Sequence, residues 1–331
     1  MSTKNGATRR RADLAIVIVS TNEARWLDAC LTSVFAHAGS ARLDVVVVDN
    51  ESTDGTRALV EERFPAARVV RSINRGFSHA NNRALETCTA RYALLLNPDT
   101  EVLDGNFGQL VAEMDRRPDV GVIGVRQVMG DGQLYPTIRR FPNAARAWGD
   151  ALGLDGWRAR PSWLGERDVD LSHHDAVQEC DWTVGAFLFA RREALLSAGL
   201  LDERFFLFSD EPDLCLRIKR SGWRVLHLPS MTIVHHAGKA GVKPKLVAQD
   251  ALTRRIYAYK HFGAPHRQLY LAAVLARHMI RASLPGPDRS AQRAASRLAV
   301  KVLLNRTAPP FGPPPVTSVE RASDARHELA A

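Results

Sequence analysis

Along the first hundred positions the apolar residues follow two alternating patterns. Unbroken runs at Leu14 to Val19, Val45 to Val48, Val69 to Ile73 and Tyr92 to Leu96 have the length of buried strands. Between them, Glu23 to Ala36, Gly55 to Phe64 and Phe77 to Cys88 carry a helical period, as in Trp26, Leu27, Cys30, Leu31, Val34 and Phe35. Apolar strands separated by amphipathic helices predict an α/β fold: a mostly parallel, Rossmann-like sheet with helices on both faces. Ligands of such sheets bind beyond the carboxyl ends of the strands. A polar cluster stands at each of those ends: Ser20-Thr21-Asn22-Glu23, Asp49-Asn50-Glu51-Ser52, Asn74-Arg75-Gly76 and Asn97-Pro98-Asp99.

The second half is less regular. Gly121 to Val128 and Trp182 to Ala190 read as strands, with Arg192 to Ala198 and Pro212 to Ser221 as helices. Arg224 to Leu228 and Met231 to Val234 read as two further strands, the latter ending at His235-His236, and Trp148 to His174 as an irregular insertion. Further on, Leu269, Ala273, Ala276, Ile280 and Leu284 predict one apolar stripe of a helix. After Pro285-Gly286-Pro287, Arg289, Arg293, Arg297 and Lys301 recur every fourth residue, the pattern of a basic amphipathic helix that either packs on the domain or lies in a membrane interface. The expected divisions are a basic tail over 1–13, an α/β body over 14–262 (halves 14–100 and 101–262), a basic helical extension over 263–305 and a Pro-rich disordered tail over 306–331.

Composition narrows the class. With 45% hydrophobic and 24% charged residues in 331, the chain is globular. Its four cysteines form no CxxC pair, which disfavours a thiolate metal site and suits reduced thiols in a cytoplasmic protein. No apolar run reaches the ~20 residues that span a bilayer. The net charge of +9 lies wholly after residue 253, where 13 Lys and Arg face 4 Asp and Glu. A basic end on a neutral body suits an anionic membrane surface, and no nucleic-acid motif is present, so nucleic acid is not an expected partner. GxGxxG and GxxxxGK[ST] are both absent, so a bound nucleotide must be held by side chains and a metal.

Three clusters carry chemistry. Asn97-Pro98-Asp99 closes a strand with oxygen donors that suit a divalent cation, or simply forms a turn. Ser209-Asp210-Glu211-Pro212-Asp213 sets three carboxylates at a helix start, which is good capping chemistry and also a way to raise the pKa of a general base. His235-His236 follows a strand and offers a nitrogen ligand.

In order along the chain, IVIVSTNEARWLDACLTSV, VVVVDNESTDGT, NRGFSHANNRAL, LLLNPDT, WTVGAFLFARREAL, LDERFFLFSDEPDLCLRIKRSGWRV and TIVHH resemble the inverting, GT-A fold glycosyltransferases of family 2. NRGFSHANN, the NPD form of the metal motif and GQLYPTIRRFPN are most similar to the rhamnosyltransferase branch of polysaccharide and cell-wall linker assembly. The resemblance implies nucleotide-sugar contacts from Ser20, Thr21, Asn22, Glu23, Asp49, Asn50, Ser52, Asn74, Arg75, Gly76 and Asn97. It implies Mg²⁺ or Mn²⁺ on Asp99 and His235. Glu211 stands in the register of the base, with Asp210 as the alternative because the pair is inverted from the usual Glu-Asp order. Acceptor contacts are expected from Trp182, Gly185 and Asp213, with core packing the other reading of Trp182. Arg139 and Arg140 read either as surface charges or as partners of an acceptor diphosphate. The implied partners are dTDP-rhamnose, a glycan or lipid-linked sugar acceptor, and the inner face of the cell membrane. Galactosyl, galactofuranosyl, glucosyl or mannosyl transfer, or an inactive sugar-nucleotide-binding subunit, are the alternatives.

Overall fold

The computed structural model describes residues 11–154, 157, 160–236, 242–286 and 289–312. Most of the basic N-terminal tail, Pro287 and the tail beyond 312 lie outside the described residues.

The first half is built as its pattern predicts. Strands β1 (Leu14–Ser20), β2 (Leu43–Asn50), β3 (Ala67–Ser72) and β4 (Tyr92–Leu96) are parallel, with Leu14 level with both Leu43 and Tyr92. Every residue of β1 is buried because alternate side chains feed two cores. Leu14, Ile16 and Ile18 meet Leu27, Leu31 and Val34 of helix α1 (Ala24–Ala36). Val17 and Val19 meet Ala80 and Ala84 of α3 (Phe77–Leu85). Helix α2 (Thr56–Arg63) joins β2 to β3.

The second half extends the same sheet in mixed directions. It contributes β5 (Thr100–Asp104), α4 (Phe107–Arg116), β6 (Val120–Met129), β7 (Leu134–Tyr135), α5 (Ala144–Ala151), β8 (Gln178–Glu179), β9 (Phe187–Arg191), α6 (Arg192–Ser197), α7 (Asp210–Arg220) and β10 (Arg224–His235). The order is β3-β2-β1-β4-β9-β6-β10-β5. β9 runs antiparallel to β4 and β6, while β10 runs parallel to β6 and antiparallel to β5.

Several expectations are corrected here. The two strands expected around Pro229 are one strand, β10, whose register against β6 shifts between Leu228 and Thr232; proline has no N–H for the ladder, so the irregularity falls where it stands. The strand expected from Trp182 begins only at Phe187, since 182–186 bend into a loop. The insertion at 148–174 opens inside α5 and continues with two short 3-10 turns, Ser162–Leu164 and Leu171–Asp175. The pattern did not reveal β5, α4 or α8 (Pro244–His261).

Helices α8, α9 (Ala264–Ser283) and α10 (Ser290–Leu303) form the extension. The buried face of α9 is Tyr270, Ala273, Val274 and His278. Of the expected stripe only Ala273 is buried; Leu269 is 58% and Ile280 40% exposed. The inner side of α10, including Ala299 and Val302, packs on Ala248, Ala251 and Leu252 of α8. Its apolar residues are therefore packed on protein, the first of the two readings of this helix.

Candidate active site

The ends of β1 and β2 are tied into one polar rim. Asp49 accepts the Ser52 N–H (2.9 Å), and Ser52 Oγ accepts the Asn22 N–H (3.1 Å). Asn22 Oδ1 in turn accepts the Thr53 N–H (2.7 Å). Asn22 and Glu51 both hold positive φ (57° and 62°), conformations non-glycine residues rarely adopt and that cluster at working sites. Asn50 Nδ2 donates to Asn74 Oδ1 (3.0 Å), which also accepts the Gly76 N–H (3.3 Å), so the β3 end joins the rim. Ser20 Oγ and Asn50 Oδ1 are buried without a protein partner. Arg75 is exposed beside them. Gly76 has φ +101°, and a Cβ there would stand 2.4 Å from the Phe206 carbonyl oxygen, so only glycine lets α3 start against that backbone.

The ends of β4 and β10 form the second part. Asp99 Oδ1 lies 3.1 Å from His235 Nε2, and the Asn97 amide lies 3.5 Å from the same nitrogen. Buried Gln127 of β6 holds His235 Nδ1 from behind at 3.1 Å. With the Gln127 carboxamide turned over, its oxygen accepts from Nδ1–H and the Nε2 lone pair is free for a cation. Burial, and then the charge of Asp99, push the Glu23 carboxyl above its usual range, against the opposing charges of Arg25 and Lys243. Oxygen donors with one imidazole fit Mg²⁺ or Mn²⁺. Among the described residues no group of three His, Cys, Asp or Glu converges. His236 lies outside this set: its ring stacks on Trp26 (centroids 4.8 Å apart) and its Nε2 bonds Glu101 at 2.6 Å.

The acidic pair is reached from β4 through backbone alone. Asn97 N–H donates to the Ala186 carbonyl (3.1 Å), and the adjacent Gly185 N–H donates to Glu211 Oε1 (3.1 Å). A Cβ on residue 185 would fall 2.5 Å from that oxygen, so the glycine is what lets the carboxylate approach. Phe208 and Ser209 both hold positive φ (71° and 60°) and turn the chain so that α7 begins at Asp210. Asp210 is buried and Glu211 only partly covered, and both line one small pocket with Phe77, Leu95, Gly185, Leu188, Leu201 and Leu214. Burial, and then the neighbouring Glu211 charge, push the Asp210 carboxyl well above its usual range. Burial also raises Glu211, while the hydrogen bond from Asp210 opposes the shift. The accessible carboxylate with an oriented oxygen is therefore Glu211.

The expected acceptor residues are placed otherwise. Gly185 serves Glu211. Asp213 is fully buried, bonded to Arg217 (2.6 Å), Lys260 (2.6 Å) and His261 (2.7 Å), and so ties α7 to α8 instead of facing a substrate. The Trp182 indole donates to the Arg140 carbonyl (2.9 Å) and packs on the core, with the Arg139 guanidinium over its ring at 5.6 Å. Arg139 itself is buried, against the surface reading, while Arg140 pairs with Asp168 at 3.2 Å. Sequence reasoning missed Gln127, whose only signal was a polar residue inside the apolar run of β6.

Residues 15–170 match the family model described as glycosyl transferase family 2. N-acetylglucosaminyl-diphospho-decaprenol L-rhamnosyltransferase of Mycobacterium tuberculosis is 28% identical over 82% of this chain and 94% of its own. An O-antigen biosynthesis protein of Myxococcus xanthus is 25% identical over 67% of this chain, though only 17% of its own length. Among solved structures, a Pyrobaculum calidifontis mannosyltransferase in complex with GDP-Man and Mn²⁺ superposes with TM-score 0.54 at 18% identity, covering 90% of this chain and 89% of that one. S. aureus TarS 1–349 in complex with UDP-GlcNAc superposes with TM-score 0.52 at 15% identity, covering 89% and 82%. These two likenesses bear on the fold.

Proposed function

Because the chain carries a family 2 glycosyltransferase domain on a GT-A fold, we propose that it is an inverting rhamnosyltransferase moving rhamnose from dTDP-rhamnose to a hydroxyl of a polyprenyl-diphosphate-linked sugar. The observation that carries the reading is the link Asn97–Ala186/Gly185–Glu211, by which Glu211 would serve as a base beside a donor diphosphate. The likeness to the mycobacterial rhamnosyltransferase over most of both chains supports rhamnosyl transfer to a lipid-linked acceptor.

In this reading the rims at Ser20–Glu23, Asp49–Ser52 and Asn74–Gly76 hold the nucleotide and fix the sugar. Asp99, His235 and Asn97 would hold Mg²⁺ or Mn²⁺, which when bound neutralises charge on a departing diphosphate. Gly185 N–H occupies Glu211 Oε1 and leaves Oε2 to face the acceptor. Glu211 removes the hydroxyl proton as that oxygen attacks the anomeric carbon opposite the diphosphate. The carbon–oxygen bond to the nucleoside diphosphate breaks and the configuration inverts. Asp210 keeps its own proton throughout.

Membrane docking belongs to the same reading. Between residues 251 and 312 the chain has 11 Lys and Arg and one acid, Asp288. Helices α5 and α9 run side by side in the same direction: Ala144 N–H meets His266 near their starts (3.1 Å), and Asp150 meets Arg277 near their ends (2.9 Å). In parallel right-handed helices, residues after the contacts on one and before the contacts on the other open on the same side. Trp148 and Leu152 on α5 and Leu269 and Ile280 on α9 stand in those places, and all are exposed. An apolar, tryptophan-bearing face in a basic surround suits an anionic bilayer.

The test is transfer to a polyprenyl-diphosphate-GlcNAc by the purified chain, with dTDP-rhamnose, UDP-galactose, UDP-glucose and GDP-mannose in parallel. Transfer from dTDP-rhamnose alone, with inverted product configuration and loss in excess EDTA, is expected. Transfer from another donor corrects the sugar, and no transfer from any overturns the reading.

A further inference from the structure

Arg139 is a buried cation of the candidate site. Its residue is only 8% exposed, yet no carboxylate among the described residues pairs with it. Nη2 donates to the Tyr135 hydroxyl (2.9 Å), and the guanidinium lies over both the Tyr135 ring (5.4 Å) and the Trp182 ring (5.6 Å). Nε is buried with no partner.

The backbone around it is fixed on both sides. Arg139 exchanges hydrogen bonds with Trp182 (3.2 and 3.3 Å), and its neighbours pair with Glu166 and Asp168 across the other edge (2.8 and 3.0 Å). Two residues past Trp182 the same loop turns toward Gly185 and Glu211, and the Arg139 charge is close enough to act on the Glu211 carboxyl. A guanidinium removed from water without a counter-ion is costly, and one with an unused N–H fits a phosphate oxygen well.

We infer that Arg139, clamped between Tyr135 and Trp182, binds a phosphate group of a substrate beside Glu211. This rests on the proposed transfer only for which substrate brings the phosphate. Two sources share the chemistry: the diphosphate of a lipid-linked acceptor and the diphosphate of the sugar donor. The acceptor is favoured, because Asn97, Asp99 and His235 already stand at the donor end.

The first test needs no turnover. Binding of inorganic pyrophosphate is measured by calorimetry in excess EDTA, for the full chain and for Arg139→Gln. A loss of affinity of about tenfold or more in the variant is expected, the scale of a charge-assisted hydrogen bond. Equal affinity, or no binding to either protein, overturns the proposal. Arg139→Lys keeps the charge and guards against misfolding: it must bind pyrophosphate more tightly than Arg139→Gln, and if both variants unfold alike in a thermal melt the residue is structural and the proposal falls. Kinetics then separate the sources. A raised acceptor KM with an unchanged donor KM, and no effect on an alkyl glycoside lacking phosphate, places the acceptor diphosphate on Arg139; a raised donor KM places the donor there. A variant that moves only the pH profile of kcat shows an arginine acting on Glu211 alone and overturns the phosphate role. Absence of transfer by the unaltered chain would defeat the proposed function while leaving the pyrophosphate result standing.

Discussion

At the residue scale, the adjacent carboxylates differ in cover and in partner. Asp210 is buried, while Glu211 is partly covered and has one oxygen fixed by a backbone N–H. Glu211→Gln is therefore expected to cut kcat by about 10²- to 10⁴-fold, the usual contribution of a general base, with donor binding retained in calorimetry. Asp210→Asn keeps a donor beside Glu211 and should retain kcat within about tenfold on the same scale. The reverse ranking would make Asp210 the base. Because the Glu211 carboxyl is raised, its basic form is lost at a higher pH than for an ordinary glutamate, near 4.3. The acidic limb of kcat/KM should lie above that value, as a pH–rate profile can check. Asp99 and His235, expected together from the order of motifs along the chain, do meet at 3.1 Å. Burial of Arg139 and Gln127 was not legible, because each depends on a partner far along the chain: Trp182 for one, His235 for the other.

At the element scale, the first four strands were legible because a doubly covered strand has to be apolar on both faces. The mixed strands were harder to read. β5 is a short edge strand with exposed residues, and 182–186 have strand composition but must bend to present Gly185. Asp213 shows why a carboxylate motif does not assign roles by itself. Burial pushes its carboxyl up, but the His261 hydrogen bond and the Arg217 and Lys260 charges outweigh that and keep it ionised. Asp213→Asn leaves the buried Arg217 without its carboxylate where α7 meets α8, while Lys260 keeps Asp202. The expected loss is about 3–5 kcal/mol of stability in urea unfolding, the cost of breaking a buried pair. A stable variant impaired only in acceptor KM would return Asp213 to a substrate-facing role.

At the scale of the whole molecule, charge and apolar exposure coincide on the C-terminal helices. No helix among the described residues is long and apolar enough to cross a membrane. Ile280→Glu, on a 40% exposed position, should leave the fold intact and weaken sedimentation with phosphatidylglycerol vesicles several-fold, while neutral phosphatidylcholine vesicles bind poorly throughout. Unchanged sedimentation would remove α9 from the membrane contact. The sequence located this basic region and both helical stripes, and packing separates them: α10 turns its apolar side to α8, while Leu269 and Ile280 of the α9 stripe stay exposed. The strand order also governs how the enzyme comes into being. Asp99 and His235 meet only after β10 has been added beyond β9 and β6, although they are far apart along the chain. Long-range pairings of this kind form slowly, because the loop they close must lose its freedom before any contact repays it. The early parallel strands can assemble while the ribosome still holds the rest, but the last strand of the sheet completes the ion site. On the proposed reading, a nascent or partly refolded chain would hold the first three strand-end loops before His235 reaches Asp99, so the ability to transfer sugar would come late in folding.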